Sequence, residues 1–221
     1  MNQAQKDKLE TIYNGIDTEG VDKAVQNLFN WRAPYNARSK QVAPEGEWTN
    51  WLILAGRGFG KTRTGAEWIR ERVESGVAKR IAIIGKTPAD VRDVMIEGES
   101  GIISISPPWN MPDYQPSRRR ILWANGATAH IFSSYEPDQL RGPQFDTAWC
   151  DELASWEYPQ ETWDNLMFGL RLGTNPQVVI TTTPRPLQLL KNIRDSKNSV
   201  VTSGSSYENR DNLNENFFDI R

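Results

Sequence analysis

Residues 55–62 read AGRGFGKT and follow directly on the apolar run Trp51, Leu52, Ile53, Leu54. A glycine-rich turn that leaves a buried strand and closes with Gly-Lys-Thr commits the chain to a strand-loop-helix unit, and so to an α/β architecture. In that unit the backbone N–H groups of Gly58, Gly60 and Lys61 face an anion from the N-terminal end of a helix, whose dipole favours negative charge. Lys61 is placed to reach the outer phosphates of a nucleoside triphosphate, and the Thr62 hydroxyl to hold Mg²⁺. The loop residues Gly56, Arg57, Gly58, Phe59, Gly60, Lys61, Thr62 and Arg63 are therefore the expected nucleotide contacts. Ala55 stands where this motif usually begins with glycine. Arg57 is either a solvated loop cation or a charge beside the terminal phosphate.

At 221 residues the chain suits one α/β domain, or one with a short appendage. The net charge of −2 gives no global basic signature, so contact with nucleic acid would need a local patch or a ring of subunits. One cysteine, Cys150, and one histidine, His130, exclude a disulfide framework within the chain and any zinc site built on several Cys or His. No apolar run approaches the ~20 residues that span a bilayer, and MNQAQKDKLE has no signal-peptide core, which predicts a soluble intracellular protein.

Residues 3–31 carry Val21, Val25, Leu28 and Phe29 at helical spacing, a helical preamble ending before Pro34. The polar stretch 36–47 reads as a loop. After the loop helix, expected over 64–72 and capped near Gly76, RIAIIG at 80–85 reads as a buried strand. Thr87, Pro88 and Asp90 then form a capping-box pattern that should open a helix through Val91, Val94 and Met95. Residues 106–116 are proline-rich and read as irregular. Two alternating runs, 119–123 and 127–132, flank Asn125-Gly126 and predict an antiparallel hairpin. Further strands are expected at 147–150, 178–182 and 200–202, with helices through Trp163, Leu166, Met167 and Leu170 and from Pro186 onward. Residues 208–221 read as the start of a linker, which leaves 36–207 as the nucleotide core. The order of elements predicts a mostly parallel central sheet flanked by helices, with the hairpin added.

Hydrolysis needs a carboxylate for the metal and a group that activates water. The run FDTAWCDE at 145–152 offers Asp151 at a strand end for Mg²⁺ and Glu152 beside it as general base, against the alternative of an ordinary helix-capping acid. No guanine-reading Asn-Lys-x-Asp is present, and the adjacent acid pair suits ATP-driven mechanical enzymes. Arg141 is either a turn arginine or a finger on a terminal phosphate. Thr181, Thr182 and Thr183 close the next strand, where they are either simple strand formers or sensors of the terminal phosphate. The triplet Arg118, Arg119, Arg120 is the densest basic run and reads first as a solvated face.

Taken together, WLILAGRGFGKTRTGAEWIRER, IGKTPADVRDVMIEGESGI, RRRILWANGATAHIFS, LRGPQFDTAWCDELA, WDNLMFGLRLG and TTTPRP resemble, in order, the ATPase domain of phage large terminase subunits. The resemblance implies a P-loop ATPase of the additional-strand, catalytic-glutamate type, with ATP and Mg²⁺ as cofactors. It implies Lys61 and Thr62 as Walker A residues, Asp151 as the Walker B aspartate and Glu152 as the catalytic carboxylate. Arg57 resembles the loop arginine of packaging ATPases, Arg141 a finger reaching a neighbouring subunit, and Thr181 to Thr183 a coupling motif. Gln41 matches the position of an adenine-reading glutamine. The implied partners are double-stranded DNA, a portal protein, a small terminase subunit and further copies of this chain in a pentameric ring, with a monomer as the alternative in isolation and no membrane. The implied location is the host cytoplasm. A DNA helicase is the runner-up. Full-length relatives add a C-terminal nuclease, so no DNA cleavage is expected of these residues.

Overall fold

The computed structural model describes residues 18–214, so the helical expectation for residues 3–17 lies outside the described part. The chain divides after Arg38. In the first unit, helix α1 (Thr18–Leu28) ends where Asn36 Nδ2 donates to the carbonyls of Asn27, Leu28 and Asn30. These carbonyls belong to or follow the last helical turn, which has no internal donors left for them.

The second unit is built on eight strands: β1 (Asn50–Ala55), β2 (Arg80–Gly85), β3 (Asp113–Gln115), β4 (Arg120–Leu122), β5 (Thr128–Ser133), β6 (Thr147–Asp151), β7 (Gln177–Thr182) and β8 (Ser199–Gly204). They form one sheet in the order β3-β4-β5-β2-β6-β7-β1-β8. From β5 to β8 every pairing is parallel, so six carboxyl ends line one edge. Helix α2 (Lys61–Glu74) follows β1, α3 (Pro159–Gly169) follows β6, and α4 (Gln188–Arg194) follows β7.

The strands are apolar because helices cover both of their faces. Trp51, Ile53 and Ala55 share one core layer with Ala66, Ile69 and Val73 of α2. Leu52 points the other way, into a second layer with Leu166 of α3 and Leu189, Leu190 and Ile193 of α4. Gly65 lets α2 lie tight on β6: a Cβ there would sit 2.3 Å from the Trp149 ring. Glycine inside a helix costs about 1 kcal/mol against alanine, which this close approach offsets. Arg72, at the far end of α2, donates through Nε to Thr147 Oγ1 at 3.0 Å and through Nη1 to Gln177 Oε1. The helix is thus tied to the starts of β6 and β7.

The hairpin is present, with Gly126 at φ 86° in its turn and β4 antiparallel to β5. Three expectations are corrected. The proline-rich stretch is not wholly irregular, because Asp113–Gln115 lies between Pro112 and Pro116 and pairs as edge strand β3, where proline costs no ladder bond. Beyond the Thr87 and Asp90 capping box, which forms as expected, the helix continues as a π turn over Val91–Ile96. This wider turn buries Val91, Met95 and Ile96 while Val94 stays exposed. The helix expected from Pro186 begins at Gln188, since the segment ahead of it remains extended.

Candidate active site

The phosphate loop leaves β1 at Ala55 and enters α2 at Lys61, so Lys61, Thr62 and Arg63 form the first helical turn. Gly58 and Gly60 take φ values of 74° and 91°, a region that side chains avoid, and Gly60 caps the helix without a side-chain bond. The N–H groups that open an α-helix have no carbonyl partner within the helix, which suits this end to an anion. Arg57 is exposed, whereas Phe59 is buried with its ring packed on Gly204. Arg63 pairs with the buried Glu67 at 2.7 Å.

Lys61 is 7% exposed and its ammonium is held from four sides. It donates to the carbonyls of Ala55 and Gly56 at 3.2 Å each and to Thr183 Oγ1 at 3.4 Å, and it lies 3.2 Å from Glu152 Oε1. Strand β7 makes this possible. Standing between β1 and β6, it leads into Thr183, which lies between the lysine and Glu152, and it sets Thr181 against Asp151. The Thr183 N–H donates to Glu152 Oε2 at 3.1 Å and its hydroxyl to Oε1 at 3.2 Å. Thr181 donates to Asp151 Oδ1 and accepts from Trp149 Nε1 at 3.1 Å. Thr182 accepts from the Ala154 N–H at 3.0 Å, anchoring the turn after the acids.

Glu152 sits at φ 46°, a left-handed conformation that costs a non-glycine residue on the order of 1 kcal/mol. That turn sends its carboxylate back toward Thr183 rather than on along the strand. Asp151 is buried, and burial raises its carboxyl to about 6; Glu152 and Asp90 push the same way, while the Thr181 bond and Lys61 oppose. The Trp156 indole N–H also donates to the Asp151 carbonyl at 2.9 Å, fixing the backbone there.

The structure thus brings Lys61, Thr183, Asp151 and Glu152 together, with Thr62 one residue along the helix. Gln41 is buried behind the loop, where its amide donates to Thr64 Oγ1 at 3.2 Å. Arg141 is placed elsewhere. Its guanidinium contacts Asp138 at 3.0 Å, Glu161 at 3.9 Å and Asn165 at 3.4 Å, at the rim of a cleft of about 370 Å³ lined also by Gly142, Phe168 and Arg171. Two residues at the loop escape a reading of the sequence: Ser206 and Asn209, whose side chains bond its carbonyls from behind. The only local signal was Ser205 three residues ahead of Glu208, a capping box that marks a turn but not its target.

A glycine loop between β1 and α2, an acid pair at the end of β6 and β7 interposed between them define a P-loop NTPase of the additional-strand class. The family described as terminase large subunit, T4likevirus-type, N-terminal, matches residues 52–210. The chain belongs to this family of N-terminal domains of phage large terminase subunits. Solved structures agree in fold. The ATPase domain of the large terminase of Thermus phage P74-26 is 16% identical, with a TM-score of 0.60 over 83% of this chain and 86% of that one. The large terminase of a thermophilic bacteriophage, in complex with ADP, is 13% identical with a TM-score of 0.61; the alignment covers 88% of this chain and 48% of that one, about half its length. The N-terminal domain of the DNA packaging ATPase from bacteriophage phi29 is 13% identical, with a TM-score of 0.53 over 71% and 90% of the two chains. No curated protein sequence matches.

Proposed function

We propose that this chain hydrolyses ATP with Mg²⁺ and that the hydrolysis drives double-stranded DNA into a viral procapsid. The observation that carries the reading is the contact of Lys61 with Glu152 at 3.2 Å, bridged by Thr183 beside the buried Asp151. An ammonium for phosphate, an acid for metal and an acid for water lie within one cluster. Family membership favours packaging over the helicase alternative.

Lys61 and the loop N–H groups would bind the triphosphate. Phosphate oxygens arriving beside Lys61 compete with Glu152 for the ammonium, which frees the carboxylate to accept a proton from water. Among the described residues no group of three or more His, Cys, Asp or Glu side chains could hold a metal ion. The donor set of Asp151 and the Thr62 hydroxyl is oxygen only and short of a full shell, which fits Mg²⁺ shared with a substrate's phosphates. Bound there, Mg²⁺ supplies charge neutralisation to those phosphates. Thr181 orients Asp151, and Thr183 reports on Lys61 and Glu152 at once, a suitable origin for coupling to motion.

Arg57 is the exposed cation on the loop itself, and Arg141 would act on a neighbouring subunit's nucleotide in a ring. The ring, taken as a pentamer, would engage DNA, a portal protein and a small terminase subunit in the cytoplasm of the infected cell. No helix among the described residues is long and apolar enough to cross a membrane. The test is ATP turnover by the parent subunit with linear DNA and procapsids. Stimulated turnover that Lys61→Ala abolishes is expected; equal turnover by Lys61→Ala would overturn the reading.

A further inference from the structure

The C-terminal turn over Ser206–Asn212 lies against the back of the phosphate loop, and its contacts are directed at the loop's backbone. Ser206 Oγ donates to the Arg57 carbonyl at 2.6 Å, and Asn209 Nδ2 donates to the Gly58 carbonyl at 2.6 Å. One residue earlier, the Gly56 N–H donates to the carbonyl of Gly204, the last residue of β8, at 3.2 Å. Three successive loop residues are thus gripped by one segment. The fit is close: a Cβ on Gly56 would lie 2.7 Å from Ser206 Oγ, and one on Gly204 would lie 2.1 Å from the Phe59 ring.

The turn is itself secured. The Ser205 N–H donates to Glu208 Oε1 at 3.0 Å within a capping box, and Lys40 pairs with Glu208 at 2.9 Å. In a trans peptide the carbonyl and the following N–H point in opposite directions. Holding the Arg57 carbonyl toward Ser206 therefore turns the Gly58 N–H away from the C-terminal turn, and holding the Gly58 carbonyl fixes the plane that follows.

We infer that Ser206 and Asn209 are positioning residues for nucleotide binding, setting the phosphate loop's peptide planes and tying its occupancy to the C-terminal turn. The inference rests on the ATP reading of the loop given above. A distortion of the loop by bound phosphates is passed to residues 206–212, and a pull on that segment alters the grip on phosphate.

The test is the affinity of the full chain for Mg-ADP by titration calorimetry, with melting midpoints measured without nucleotide. Ser206→Ala and Asn209→Ala should each weaken binding about three- to tenfold, the range for loss of one hydrogen bond. The nucleotide-free melting midpoint should stay near that of the parent, and Ser206→Thr, which keeps the hydroxyl, should bind within about twofold of the parent. Amide exchange across residues 205–212 should slow when Mg-ADP is added to the parent chain. If the parent binds Mg-ADP, Lys61→Ala does not, and the double alanine variant binds like the parent, the positioning role is overturned while the ATP reading stands. A parent chain that binds no Mg-ADP overturns both. Weakening that Ser206→Thr fails to rescue overturns the role of the hydroxyl contact.

Discussion

At the β6–β7–β1 centre of the sheet, β6 and β7 are buried along their whole length and end in side chains that bond one another, whereas at the far end β3 and β4 are three residues long and partly exposed. The centre sequesters Lys61 and Asp151 from water, with Trp149, Thr181 and Asp151 joined in series. The edge is held by main-chain pairing and a few polar side-chain contacts, such as Arg120 Nε to Gln115 Oε1 at 2.8 Å. A group held in a dry, fully bonded setting keeps one orientation, and its electrostatics are worth more there than in solvent. The contrast accounts for Asp151 standing at the end of β6 and not on the more accessible hairpin.

The comparison predicts unequal responses to substitution. The largest change in stability should come from Trp149→Ala, which removes a fully buried ring and the donor to Thr181: about 3–5 kcal/mol by denaturant unfolding. A loss no greater than that of a surface site would contradict the rigid centre. Next is Asp151→Asn in protein free of nucleotide and magnesium. The folded value of about 6 lies above the 3.8 of an unperturbed carboxyl, so the folded state binds the extra proton between these values. Its favourable contribution is present at low pH and is lost as pH rises through about 6. Asp151→Asn should therefore be more stable than the parent near pH 7.5, by at most about 3 kcal/mol, with the gap closing toward pH 4. A gap that widened on acidification would reverse the assignment. The smallest effect belongs to the edge: Arg119 and Glu136 are both 49% exposed at 3.6 Å, so Arg119→Ala should shift stability by no more than about 0.5 kcal/mol.

The same contrast governs how much of the molecule was legible in its sequence. WLILA, RIAIIG and TAWCD stand out as strands because burial on both faces demands uninterrupted apolar runs. The loop was legible because phosphate binding fixes glycine, lysine and threonine at set spacings. Strand β3 left no such trace: three residues between two prolines, with Tyr114 alone contributing to a core layer, offer no period to read. The π turn at Val91–Ile96 was hidden because its buried set, Val91, Met95 and Ile96, fits an α-helix almost as well. Ser206 and Asn209 were invisible for another reason. Each meets its partner across a sequence separation of about 150 residues, and polar side chains bonding a distant backbone impose no local pattern. The threonines were seen but could not be weighed, since the strand propensity of Thr181 to Thr183 hides the hydroxyl contacts made by each.

The most direct test of the central claim, that Glu152 activates water beside a triphosphate held by Lys61, is single-turnover ATP hydrolysis by Glu152→Gln alongside its equilibrium affinity for Mg-ATP. The amide keeps the shape of the carboxylate and removes its basicity. The account predicts affinity within a few-fold of the parent and hydrolysis slower by about 10² to 10⁴. Hydrolysis at the parent rate, with ATP bound equally well, would contradict it.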